Sequence, residues 1–376
     1  MTDGLDGLRA EVRATLDNLV DNGRETGVQV AAYLRGEPIL DEVAGVADRV
    51  TGRPMTADTP IFGVSTAKGL TATVVHVLAE RGALDYDLRV ADVWPEFARH
   101  GKDGITLRHL LTHTAGLPTL PADVTPEDLT DWDRMCALLA DAVPLWAPGA
   151  QIAYHAWTFG WLVGEVVRRV TGHRISRVLA EEVAAPLGVA DELFFGVPEA
   201  DLDRLARLED AGLSAMLDVA GTHLPNFDRV APPAVRPDAT IGSRPDVLRA
   251  DVPAVGTLTA RAAARTYAAL IGAVDGVRLI SAGRLHAVST VAAHGTEWVF
   301  GAPTAFGLGY AVDDDGSFGT AGSGGSLAYA YPELGLAVAA TRNRLGANDG
   351  DPMEGLRRLI RDAVRARRAH VGDDRA

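Results

Sequence analysis

Strand-like patterning in this chain is confined to its two ends, and the long stretch between them reads as helix and loop. At the start, residues 1–23 carry Leu5, Leu8, Val12, Leu16 and Leu19 among acids and arginines, the spacing of an amphipathic helix. Gly27–Leu34 and Pro38–Val46 then flank Arg35-Gly36-Glu37, which reads as a hairpin around a tight turn. Near the end, Phe306–Val312, Ser326–Tyr331 and Leu334–Thr341 are short apolar segments separated by Asp313-Asp314-Asp315-Gly316 and Pro332-Glu333. Glu354–Arg368 follows as a helix with Leu356, Leu359, Ile360 and Val364 on one face. This order requires a sheet built from both ends of the chain, with a helical insertion between them. Any site would lie between the two parts. Within the insertion, residues 210–251 form an irregular excursion marked by Pro225, Pro232, Pro233, Pro237 and Pro245, read as a lid or a pocket wall.

With 376 residues and 47% hydrophobic content, the chain can bury a large core. A formal charge of −14 without any basic stripe argues against nucleic acid as a partner. The single cysteine, Cys136, excludes an internal disulfide and reads as a small core residue. Neither a secretory leader nor an apolar run of about 20 residues is legible, so no membrane partner and a soluble, cytoplasmic protein are expected. The ten histidines include no His-Glu-x-x-His, and His109 and His113 lie across an expected turn, so no metal site is expected. The glycine spacings fit no nucleotide cofactor, and no cofactor is expected at all. Oligomeric state is not legible.

Only two of the 36 basic residues are lysines, Lys68 and Lys102, and Lys68 follows Ser65 by three positions in Gly63-Val64-Ser65-Thr66-Ala67-Lys68. Lysine can lose its proton, whereas arginine in a protein does not. On a helix, Ser65 and Lys68 share a face, and the pair reads as nucleophile and general base. The competing reading is a helix cap followed by a solvated charge. The apolar positions Leu70, Val74, Val77 and Leu78, and the neighbours Thr71, Ala72 and Val75 on Lys68's own face, favour a buried amine with a depressed pKa.

Two further segments carry candidate chemistry. Tyr154, in Ala153-Tyr154-His155-Ala156-Trp157, could exchange protons with a serine oxygen if a nearby Lys ammonium lowered its pKa; the alternative is a core tyrosine among Trp157, Phe159 and Trp161. The glycine-rich Phe318–Leu327 stretch could bring backbone amides close to a ligand, so that one N–H there and that of Ser65 would form an oxyanion hole; the alternative is an ordinary turn.

Taken together, these segments resemble the serine β-lactamase and penicillin-binding-protein superfamily, and within it the class C β-lactamase-like serine hydrolases that include family VIII carboxylesterases. The resemblance runs from about residue 27 to 343. It rests on Ser65-Thr66-Ala67-Lys68, on Leu107–Pro118 including His113, on Tyr154-His155-Ala156, on Gly160–Gly172 and on Gly322–Pro332. It implies an α/β fold of the α+β type: a central antiparallel sheet flanked by N- and C-terminal helices, plus an inserted mostly helical region. The whole of 1–376 would be a single catalytic unit, with 1–60 and 255–376 as the sheet-containing part and 61–254 as the helical part. It also implies an acyl-enzyme on Ser65, proton transfer shared by Lys68 and Tyr154, and an oxyanion hole from the amides of Ser65 and Ser323. Pocket candidates are His155, Ala156, Trp157, Thr320, Gly322 and Gly324, with Trp146, Phe159 and Trp161 as possible apolar lining. His113 is expected to bond backbone rather than act as a base.

Two departures from the family pattern bear on the substrate. Ala156 stands where an Asn often contacts an acylamido group, and Thr320 stands where a Lys or His usually binds a carboxylate. A small neutral ester therefore fits better than a penicillin or a D-Ala-D-Ala peptide. The partner is expected to be a small-molecule ester or acyl donor, with weak or absent β-lactamase activity. An acyltransferase using the same nucleophile, a catalytically silent binding protein and a Ser-His-Asp hydrolase around Gly63–Ala67 are the alternatives.

Overall fold

The computed structural model describes residues 3–346 and 351–373. The helix expected over 1–23 is α1 (Asp3–Asp21), its first two residues lying outside the described residues. The hairpin is β1 (Gly27–Leu34) and β2 (Glu37–Asp48). At its turn Arg35 and Gly36 adopt φ of +53° and +86°, the left-handed geometry that suits a two-residue hairpin loop. After β3 (Arg53–Pro54) the chain enters the helical region, which includes α2 (Lys68–Glu80), α3 (Thr158–Thr171) and α4 (Leu213–His223). It returns through α5 (Ala260–Ile271) to the strands β4 (Ala293–Thr296), β5 (Pro303–Phe306), β6 (Ala311–Val312), β7 (Phe318–Ala321), β8 (Leu327–Tyr331) and β9 (Leu336–Arg342), and ends in α6 (Pro352–Asp373).

Nine strands form one antiparallel sheet in the order β3-β2-β1-β9-β8-β7-β6-β5-β4. The two ends of the chain meet at its centre, where β1 lies beside β9 with Val28 opposite Arg342 and Leu34 opposite Leu336. Side chains alternate across the sheet as the strand period requires. Val28, Val30 and Ala32 of β1 and Val338 and Ala340 of β9 face a core shared with α1 and α6, into which α1 sends Leu8, Val12, Leu16 and Leu19. Each of those leucines stabilises the fold by roughly 1.5–3 kcal/mol through burial. Ala31, Tyr33, Ala337 and Ala339 point the other way, into the main core with α5 and the helical region.

Three strand boundaries differ from the sequence reading. Phe306–Val312 is broken, because Gly309 takes φ +88° and residues 307–310 turn out of the ladder between β5 and β6. The edge strand β4 is largely exposed and shows no apolar alternation to betray it. The start of the glycine-rich stretch is itself a strand, β7, paired with β8. Among the described residues no helix is long and apolar enough to cross a membrane.

Candidate active site

The nucleophile turn is anchored before α2 begins. Ile61–Phe62 pairs with Thr257–Leu258, and the Gly63 N–H donates to Gly256 O at 2.8 Å. Val64 then takes φ +50°, a conformation that a β-branched residue adopts only when its surroundings impose it, at a cost on the order of 1–3 kcal/mol. Ser65 sits in the single 3₁₀ turn Val64–Ala67 rather than in the α-helix, and Lys68 is the first residue of α2. One short turn thus brings Lys68 Nζ to 2.9 Å from Ser65 Oγ.

Lys68 is 2% exposed, and its Nζ also donates to Ala254 O at 2.8 Å. Burial pushes its pKa down to about 7, so near neutral pH a large share of the amine is unprotonated. Tyr154 stands beside it, with Lys68 Nζ 5.0 Å from the ring centroid and the phenol hydrogen-bonded to Ser65. The condition set for Tyr154, a Lys ammonium that lowers its pKa, is not met. Burial, the largest effect, pushes that pKa up to about 12, with a further push from the negative charge of Glu297, against an opposing Ser65 hydrogen bond that outweighs Glu297 but not burial. Tyr154 therefore keeps its proton, and Lys68 is the group able to take one.

The glycine-rich segment closes the other side. A Cβ on Gly322 would fall 2.5 Å from Gly63 O and 3.3 Å from Ser65 N, so only glycine lets this backbone lie against the nucleophile turn. Thr66 Oγ1 donates to Ser326 O at 2.7 Å and fixes the two segments together. Ser323, next in line, lines the same cavity as Ser65. Thr320 lies in the wall with its hydroxyl already engaged: it donates to Thr66 O at 2.8 Å and meets the Tyr267 hydroxyl at 3.0 Å.

These residues open onto a cavity of about 460 Å³, within the range of small-molecule sites. The proline-rich excursion supplies one wall through Leu217, Phe227, Val230 and Pro237, and Phe300 and Phe306 supply another. Of the pocket candidates, Ala156, Thr320 and Gly322 line the cavity, while His155, Trp157 and Gly324 lie behind it. His155 is fully buried: Nδ1 donates to Ala153 O at 2.6 Å and Nε2 accepts from Leu117 N at 3.3 Å, with burial holding its pKa down to about 4. Trp157 stacks on Trp161 in the core, where Phe159 is also buried, and Trp146 packs edge-on against Trp298 instead of facing the cavity. Gly324 turns its carbonyl to the Arg342 guanidinium at 2.7 Å.

Two lining residues exceed the sequence reading. His113 Nδ1 accepts the backbone N–H of His155 at 3.2 Å, as a backbone-bonding role requires, yet its ring also reaches the cavity and lies 4.9 Å from that of Tyr154. Burial keeps its pKa well down, which leaves it neutral. Glu297 carried no sequence signal. Its Oε1 accepts the Tyr154 N–H at 2.6 Å, and Oε2 accepts those of Val299 at 2.8 Å and Phe300 at 2.6 Å.

A half-buried serine bonded to a buried lysine, with a tyrosine above them, set between an antiparallel sheet and a helical region, defines the serine acyl-transfer enzymes of the β-lactamase and penicillin-binding-protein fold. The family model described as Beta-lactamase matches residues 12–363, and the chain belongs to that family. It is 36% identical to the esterase/beta-lactamase LipL of Mycobacterium tuberculosis, over 90% of this chain and 82% of that protein. Among solved structures, a family VIII carboxylesterase superposes with a TM-score of 0.85 at 33% identity, covering 95% of this chain and 97% of the other. A penicillin-binding-protein homologue from Caulobacter crescentus gives a TM-score of 0.83 at 31% identity, over 95% and 97% of the two chains.

Proposed function

We propose that this chain is a serine carboxylesterase acting through an acyl-enzyme on Ser65. The observation that carries the reading is the Lys68 amine, buried, depressed to about 7 and 2.9 Å from Ser65 Oγ. In the acylation step Lys68 takes the Ser65 proton as Oγ attacks the ester carbonyl, and the amides of Ser65 and Ser323 receive the oxyanion. Tyr154 donates its phenolic proton to the leaving alkoxide and is reprotonated from the Lys68 ammonium. Water then enters by the reverse proton path and releases the acid. Kinship with LipL and with the family VIII carboxylesterase supports ester rather than amide chemistry. Thr320 bears on the substrate: its proton is committed to Thr66 O, so this position offers a carboxylate neither a cation nor a free donor. The reading is therefore of esters whose bound part carries no carboxylate, with weak or absent turnover of penicillins.

The test is intact-mass detection of an adduct after exposure to a fluorophosphonate, together with hydrolysis of short p-nitrophenyl esters, on wild type, Ser65→Ala and Lys68→Arg. We expect an adduct and turnover in wild type, no adduct on Ser65→Ala, and turnover on Lys68→Arg reduced by on the order of a thousandfold. An adduct without hydrolysis, discharged only by an added alcohol, would make the chain an acyltransferase. Absence of any adduct would overturn both and leave a binding protein.

A further inference from the structure

Among the described residues, four glutamates are almost wholly buried: Glu25, Glu165, Glu192 and Glu297. Three of them follow one rule. Glu25 pairs with Arg342, Glu165 with Arg168 and Arg169, and Glu192 with Arg261. A buried carboxylate needs such a partner because its desolvation otherwise goes uncompensated. Glu297, 4% exposed, breaks the rule: no described cation pairs with it, and three backbone N–H groups converge on it instead. A protonated carboxyl would waste its donor among three donors, so the arrangement suits the anion.

Its position makes the exception informative. Of the side chains lining the cavity, only Lys68 and Glu297 bear a formal charge. Lys68 loses its charge as the pH rises through about 7. Glu297 then sets the sign of the field in a largely apolar site, and low-dielectric walls concentrate that field. Phe300 and Phe306 belong to the same lining, and aromatic rings add to the attraction of a cation.

We infer that the cavity takes a cation-bearing substrate, with an ammonium group on the non-reacting part of the ester held toward Glu297 and the rings of Phe300 and Phe306. The inference rests on the esterase reading for the word ester; the cation site itself stands on Glu297. The ammonium could sit on the alcohol or on the acyl side, and both are tested. Butyrylcholine probes the first and the p-nitrophenyl ester of trimethylammoniobutyrate the second, each against the isostere in which carbon replaces the charged nitrogen, at about pH 8.5, where Lys68 is neutral.

In wild type we expect kcat/KM for at least one cationic ester to exceed that of its isostere by roughly tenfold. Glu297→Gln should bring the ratio to about one, whereas Glu297→Asp, which keeps the charge, should preserve the preference. General damage to the fold would lower both members of a pair and leave the ratio untouched. In parallel, calorimetry on Ser65→Ala measures choline against its neutral carbon analogue without any chemistry. Choline binding that depends on Glu297, with no ester turned over, would preserve the cation site and sink the esterase reading. Ester turnover with isosteres as good as their cations, or a preference unchanged in Glu297→Gln, would overturn the inference and leave the esterase standing.

Discussion

An amine whose pKa falls to about 7 on folding, from an unfolded value of roughly 10.4, binds fewer protons in the native than in the unfolded chain between those two pH values. Stability therefore rises with pH across that window, and below about 7 the full cost of burying the charge is present. Replacing Lys68 by Met should raise stability by roughly 2–4 kcal/mol at neutral pH, net of the lost bond to Ala254 O, and abolish turnover. Denaturant unfolding at matched pH checks the first outcome and ester hydrolysis the second. In wild type, kcat/KM should climb through about pH 7 as Lys68 loses its proton. The serine–lysine pair was legible because three residues of one turn decide it locally. Tyr154 was legible as a neighbour of that pair, but the direction of its pKa was not, since that depends on burial and on Glu297, 143 positions away. Glu297 itself left no trace, being a single acid in an unremarkable loop.

At the level of elements, the proposed catalysis depends on how closely β7 and the loop after it approach the 3₁₀ turn that holds Ser65. Gly322→Ala should lose on the order of a hundredfold in kcat while the fold survives, because the new methyl pushes against Gly63 O and moves the Ser323 amide off the developing charge. Circular dichroism and thermal melting would report the intact fold, and burst kinetics the slowed acylation. A melt showing loss of the fold would instead assign Gly322 a structural role. Prolines marked the 210–251 excursion as irregular chain, yet the structure folds much of it into α4 and several one-turn helices. Which of its residues face the cavity was hidden, since a wall made of α4 and several one-turn helices has no sustained period to read.

For the molecule as a whole, Arg342 is the junction. It lies at the end of β9, pairs with Glu25 just ahead of β1 at 2.9 Å, and holds the carbonyl of Gly324 beside the active site. Arg342→Met leaves Glu25 buried without a partner and should cost about 3–5 kcal/mol; adding Glu25→Gln should recover part of that, as unfolding midpoints of the single and double variants would show. The alternating strands and terminal helices made the two-ended sheet readable in advance. This long-range clamp was not, because it joins residues 317 positions apart.

The seam between β1 and β9 also sets a timetable. A ribosome releases residue 28 long before residue 342, its partner across the sheet. Throughout most of synthesis β1 lacks that neighbour, and Thr66 waits for the Ser326 carbonyl that steadies the nucleophile turn. An unfinished chain therefore carries its serine without the surroundings that steady it, and the enzyme comes alive only once the strands around residues 326 and 342 have been made.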